Sequence, residues 1–378
     1  MRMAPQVLRS GWLGRSPKRW AATAVVALIL VSTTSRAEDD RLRVLVPDAD
    51  NLQYMAFWVA RSGGHFARER IAVELVVPPG PQQTSAFWSK HDVEAAVLPP
   101  PVFVSLVAEK EKVVLVANLL ANDPIDLVVR KSVLEARGVR LDAPVRDRLV
   151  ALRGIKLGVA PHPPTRLRAL YASVGLDADK DVVMEILHGK EQNRAFADGD
   201  VDALYAHTPY LERAIVHDGA VVVVDQTRGE VPSLANRQIH GFAFRSDVVQ
   251  LRPELVTRAV RAIAAAEASI HASAPATVDV LATAFPRRER RELETIVRLY
   301  EPAIPRTPAV TIEGVGGALI FYPDGMKKPE LAGIDLSTYV APRFVEQKKE
   351  SRAWVIVAIV GAIVVATLAY FSRARPSS

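Results

Sequence analysis

Three stretches in this sequence each follow an apolar run and carry the groups of a non-covalent binding site. His207-Thr208-Pro209 follows Val201-Asp202-Ala203-Leu204-Tyr205-Ala206. Pro99, Pro100 and Pro101 follow the run 93–98, and Asn51, Gln53 and Tyr54 follow the run 42–46. An imidazole, a hydroxyl, two amides and a phenol placed after strands suit ligand recognition, because open α/β sheets bind ligands beyond the carboxyl ends of their strands. A fourth stretch, His162-Pro163-Pro164-Thr165, opens a predicted helix whose unpaired N–H groups could hold an anion. The two prolines lack N–H groups and reduce that supply. Thr165 fits equally well as a helix-start hydroxyl.

The usual carriers of covalent and metal chemistry are missing. The eight histidines are scattered without metal-ligand spacing, and no His-Glu-x-x-His occurs. There is no Gly-x-Ser-x-Gly elbow and no phosphate loop. Gly314-Val315-Gly316-Gly317 does not follow a predicted strand, so it is a poor dinucleotide fingerprint. With no cysteine there is neither a disulfide nor a lipid-modified anchor. The expectation is a protein that is not an enzyme, with no cofactor and no metal.

A repeated motif positions two of the candidate stretches. His91-Asp92-Val93-Glu94-Ala95 leads to Pro101, and Gly199-Asp200-Val201-Asp202-Ala203 leads to Pro209 at the same spacing. Each copy reads as helix, turn, strand and a proline-led helix start, with an Ala-Phe pair upstream. Two matched units in one chain suggest two similar lobes. Elsewhere strands predicted at 72–77, 113–117, 125–129, 152–160, 182–186, 221–224 and 241–244 alternate with helices, which argues a mostly parallel α/β architecture.

The ends of the chain read differently. Residues 1–37 hold six Lys and Arg and no acid, then an apolar run from 21 to 31 and Ser35-Arg36-Ala37, the pattern of a cleaved secretory leader. The whole net charge of +6 belongs to this stretch, leaving 0 for 38–378. The basic sequence pI of 9.5 is therefore no nucleic-acid footprint, and no nucleic-acid partner is expected. The 18 apolar residues of 354–371, about 27 Å as a helix, predict a membrane span with Trp354 and Tyr370 at its two interfaces.

Five segments resemble a known family. They are 60–75 (Ala60-Arg61-Ser62-Gly63-Gly64-His65-Phe66 running on to Leu75), the two Asp-Val-Glu/Asp-Ala turns, Leu152-Arg153-Gly154-Ile155-Lys156-Leu157-Gly158-Val159, 242–272 with Pro253-Glu254-Leu255-Val256, and Asp335-Leu336-Ser337-Thr338-Tyr339-Val340. In order and spacing they resemble the substrate-binding proteins of ABC importers of the nitrate/sulfonate/taurine type (SsuA/THI5-like, NMT1-like). The resemblance implies a two-lobed type II periplasmic-binding fold, here with a C-terminal transmembrane helix. The expected organisation is a signal peptide at 1–37, lobe 1 at 38–126 plus 238–342, lobe 2 at 127–237, a juxtamembrane linker at 343–353, the span at 354–371 and a cytoplasmic tail at 372–378.

The resemblance also implies a cleft between the lobes. Ligand contacts are then expected from Asn51, Gln53, Tyr54, Pro100, Pro101, His162, Thr165, His207 and Thr208, with Gln238 and His240 near the second crossing between lobes. Hinge closure on a small molecule would be recognised by an ABC permease. Two departures stand out: His91 where the family has glycine, and the C-terminal span. The implied function is a membrane-tethered solute-binding protein for an importer, exported and anchored in the inner membrane. The alternative is a periplasmic ligand-sensing or scaffold module not coupled to import.

Overall fold

A computed structural model of the protein describes residues 39–80, 83–90, 92–161, 164–319 and 334–345. The expected leader, most of the juxtamembrane linker, the expected span, the tail, His91 and His162 lie outside the described residues.

Among the described residues ten strands form two five-stranded sheets within one compact unit. They are β1 (Asp40–Leu45), β2 (Ile71–Val76), β3 (Ala95–Leu98), β4 (Val113–Ala121), β5 (Asp126–Arg130), β6 (Lys156–Val159), β7 (Val183–Ile186), β8 (Ala203–Ala206), β9 (Ala220–Val224) and β10 (Gln238–Arg245). The orders are β2-β1-β3-β10-β4 and β7-β6-β8-β5-β9. In each sheet the first three strands are parallel, and the fourth is an antiparallel strand. That fourth strand is always the one arriving from the other sheet: β10 enters the first, β5 enters the second. The repeat seen in sequence therefore extends to the topology. The two motif copies precede equivalent strands, β3 and β8.

Gly199 shows why the second copy reads as it does. It closes helix Glu191–Asp198 at φ 83°, a left-handed conformation that a Cβ would strain. The chain then turns at once into β8, all four residues of which are buried. Helix Pro253–Ala272 covers the first sheet. Proline at its first turn needs no N–H there. Leu255, Val256, Ala259, Val260, Ile263, Ala266 and Ile270 form its buried stripe.

The expected membrane tether is corrected here. Among the described residues no helix is long and apolar enough to cross a membrane. The longest, the 20-residue helix Pro253–Ala272, has the length but carries Glu254, Arg258, Arg261 and Glu267. Its one apolar face packs onto the sheet, whereas a span is apolar all round. The fold class is the two-lobed α/β fold, with no transmembrane helix among the described residues. The expected membrane partner and inner-membrane anchor find no support in it.

Candidate ligand-binding site

The chain crosses between the sheets twice, and the crossings are bonded to each other. Asn122 N–H donates to Arg237 O at 2.9 Å. Asn122 Nδ2 donates to Thr227 O at 3.1 Å, and its Oδ1 accepts from Asn236 N–H at 2.7 Å. Asn122 and Asn236 both have positive φ, 64° and 58°. Asparagine tolerates that conformation because its short amide bonds locally.

Beside the first crossing lies a buried ion pair. Asp123 Oδ1 accepts from an Arg166 guanidinium nitrogen at 2.8 Å, with side-chain exposures of 1% and 11%. Arg166 comes from the first turn of helix Pro164–Ser173 in the second lobe. Burial raises the Asp123 carboxyl above the usual carboxylate range, and Arg166 opposes that rise. Asp123 Oδ2 is buried without a hydrogen-bond partner. Asp126, also buried, starts β5 and accepts from Thr227 N–H at 3.0 Å and Thr227 Oγ1 at 2.9 Å. Desolvation pushes it well up, and the charge of Asp225 adds to this.

Two histidines face this pair from opposite lobes. His240, near the start of β10, is buried, with Nδ1 unpartnered, and Tyr54 meets its ring edge-on at 5.2 Å. His207 follows β8; its Nδ1 is hydrogen-bonded to Thr208 O, and its ring lies 5.9 Å from Tyr210. Burial drives His207 down to about 4, and drives His240 well below the ordinary imidazole range. The Arg166 charge pushes both the same way. Both rings are neutral at pH 7.

The other sequence-predicted residues divide. Asn51 Oδ1 accepts from Gln53 N–H at 2.8 Å and caps the short turn Leu52–Tyr54, so the Asn51 side chain is occupied by capping. Trp58 Nε1 donates to Asn51 O at 2.9 Å and pins the same turn. Pro100 is buried in the cavity lining, whereas Pro101 is exposed. Thr165 sits beside Arg166 at the helix start. Thr208 is wholly buried: its N–H donates to Tyr300 Oη at 2.9 Å and its Oγ1 to Glu212 Oε1 at 3.1 Å. Gln238 donates from Nε2 to Ala309 O and accepts at Oε1 from Thr311 N–H, both at 2.8 Å.

That last pair anchors a segment which closes one side of the cleft. Helix Ile312–Leu319 places Val315 in the core cluster of Leu98, Phe103 and Leu115. Ala318 joins the cluster of the second lobe, with Ile125 and Leu234. Arg237 donates to Gly317 O. Gly314 lies so close to Gln238 that a Cβ there would stand 2.6 Å from its side-chain carbons. Between this helix, Leu98, Pro100, Phe103, Asn118 and His240 there remains a cavity of about 20 Å³, room for a water or two.

Sequence reasoning missed Asp123, Arg166, Glu212, Arg288 and Tyr300. The only signals were an acid within the predicted crossing and an arginine next to Thr165. Tyr300 ties the site together, since its Oη also donates to Pro124 O at 3.0 Å. Tyr300→Phe strands the buried Thr208 N–H and Pro124 carbonyl, and is expected to cost about 1–3 kcal/mol in urea unfolding. A loss below about 0.5 kcal/mol would show that other groups replace the hydroxyl. Among the described residues one group could hold a metal ion: His217, Glu289 and Glu292, with ligand atoms within 4.8 Å of one another. Glu292 there already meets Arg213 at 3.4 Å and Arg288 at 3.8 Å.

The pattern that defines the NMT1-like family matches residues 49–285. No curated protein matches the sequence. Among solved structures, a Bordetella bronchiseptica RB50 protein has 17% identity and a TM-score of 0.61, over 81% of this chain and 96% of its own. The alkanesulfonate-binding protein SsuA of Xanthomonas axonopodis pv. citri, bound to MOPS, has 13% identity and a TM-score of 0.57, over 81% of this chain and 99% of its own. The desulfurization enzyme DszB has 18% identity and a TM-score of 0.55, over 81% of this chain and 97% of its own. At such identities the likeness shows the fold, and one fold carries several functions. The expectation of a non-catalytic solute-binding protein agrees with the family. Since the family pattern spans more than half of the sequence, the chain belongs to the NMT1-like family.

Proposed function

We propose that this protein is an extracytoplasmic ligand-sensing or scaffold module that captures a small molecule between its lobes and is not coupled to import. The observation that carries the reading is the convergence of Asp123, Arg166, His207 and His240 at the crossing, drawn from both lobes, with Asp123 and His240 buried and Arg166 and His207 partly buried. Polar groups held that way gain little for folding, because each loses its hydration. They are useful when a ligand completes their bonding as the lobes close. The SsuA neighbour's sulfonate ligand supports a small polar molecule as the occupant. The basic and then apolar opening of the sequence supports export.

A thermal-shift screen of the full chain tests this. A ligand at a hundredfold its Kd stabilises the folded state by about 2.7 kcal/mol. For a chain of this size that raises Tm by roughly 3–4 °C. The panel contains sulfonates, nitrate, amines, amidines and heterocycles. A complete absence of shifts across the panel at millimolar concentration counts against a binding role.

A further inference from the structure

We propose that helix Ile312–Leu319 is an internal plug. It shuts the cavity beside His240, and it lifts away by itself, with the rest of the fold intact, to admit a small molecule. The inference rests on the cleft being a binding site and concerns what guards it.

The helix is packed on both lobes at once. Val315, 4% exposed, sits in the cluster of the first lobe, and Ala318, 1% exposed, sits in that of the second. Residues of the second crossing hold it down: Gln238 bonds to Ala309 O and Thr311 N–H, and Arg237 donates to Gly317 O. An element fixed to both lobes resists their parting. With the helix in place the cavity has room for no more than a water or two. His240 lines that cavity, and its Nδ1 is buried without a partner. A buried polar atom left unpaired costs stability, and a molecule entering the cavity would complete its bonding.

The sequence of the plug makes it easy to unwind. Three of its eight residues are glycine, and each glycine weakens a helix about fourfold relative to alanine. Packing requires one of them: a Cβ on Gly314 would stand 2.6 Å from the Gln238 side chain. It does not require the others. A Cβ on Gly316 or Gly317 would meet nothing closer than 3.9 or 3.8 Å, and neither residue has a positive φ. These two glycines lower the cost of opening without serving the closed state. Apolar burial adds little, since Ile312 is 42% exposed. Segments with few buried contacts open locally, well below the cost of global unfolding.

The chain has no cysteine, so single introduced thiols report the opening. Three buried alanines are replaced one at a time: Ala318→Cys on the plug, Ala117→Cys in the cavity lining and Ala259→Cys on helix Pro253–Ala272. Alkylation by iodoacetamide is measured on each folded full-length variant and divided by the rate for the same variant in urea. Ala318→Cys and Ala117→Cys are expected to react roughly a hundredfold faster than Ala259→Cys, which waits for global unfolding. Adding Gly316→Ala and Gly317→Ala is expected to slow both by about tenfold. Rates equal to that of Ala259→Cys overturn the plug, because the helix then leaves only when the protein unfolds. Fast reaction at Ala318→Cys with slow reaction at Ala117→Cys also overturns it, since the helix then frays without opening the cavity. Rates unmoved by the two glycine replacements do the same. None of these results depends on a bound ligand, so the thermal-shift panel decides the binding role separately.

Discussion

Asp123→Ala is expected to destabilise the protein by about 3–5 kcal/mol, the cost of leaving a buried charge without its partner. Arg166 would keep its guanidinium at 11% exposure without the Asp123 carboxylate. The loss corresponds to a fall in Tm of about 4–8 °C. The pair itself is worth far less than this, because both groups gave up hydration to meet. Asp123→Asn combined with Arg166→Met, which removes both charges and keeps the bulk, is therefore expected to recover at least half of the loss. Urea unfolding of the two variants and the parent measures this. A cost under about 1 kcal/mol for Asp123→Ala would mean that water reaches Arg166 and the crossing is not a low-dielectric site.

The second large effect is in pH. Glu212 is wholly buried; its Oε1 takes Thr208 Oγ1 at 3.1 Å and Arg288 at 3.3 Å, while Oε2 has no partner. Burial pushes it up to about 7 from an ordinary 4.5, with Arg288 and Thr208 opposing and the nearby Glu292 charge adding to the rise. The folded state thus holds this proton more tightly than the unfolded chain. Its contribution is fully present below pH 4.5 and is lost as pH rises through 7, a fall of about 3 kcal/mol. His207 acts with the opposite sign. Its folded value is down at about 4 from 6.5, so its contribution is present above pH 6.5 and is lost as pH falls through 4. The residue is only partly buried, which reduces this to about 1–2 kcal/mol.

The two slopes oppose each other between about pH 4.5 and 6.5, so removing either one exposes the other. Glu212→Gln is expected to gain about 3 kcal/mol on the parent between pH 4.5 and 7.5. His207→Gln is expected to lose about 1–2 kcal/mol on the parent between pH 4 and 6.5. Urea unfolding at four pH values covers both. A Glu212→Gln curve running parallel to the parent would place the Glu212 carboxyl in contact with water and sink this account.

Periodicity and turn chemistry were sufficient for much of the architecture. The Gly199-Asp200-Val201-Asp202-Ala203 motif marks a helix end, a turn and a strand because only glycine sits comfortably at φ 83°. Pro253 marks a helix start because the missing N–H costs nothing there. Such features depend on a few neighbouring residues, so they can be read along the chain.

By itself, then, the sequence determined the α/β class and the paired lobes. Only the tertiary structure decided which side chains meet at the crossing. Asp123 and Arg166 are 43 residues apart, and Thr208 and Tyr300 are 92 apart. Helix Ile312–Leu319 fills the side of the cleft through Gln238 and Arg237, which no local pattern signals. The division is physical. Backbone preference is set within a turn or two of chain, whereas the protonation and pairing of a buried group depend on every charge that folding brings within a few ångströms.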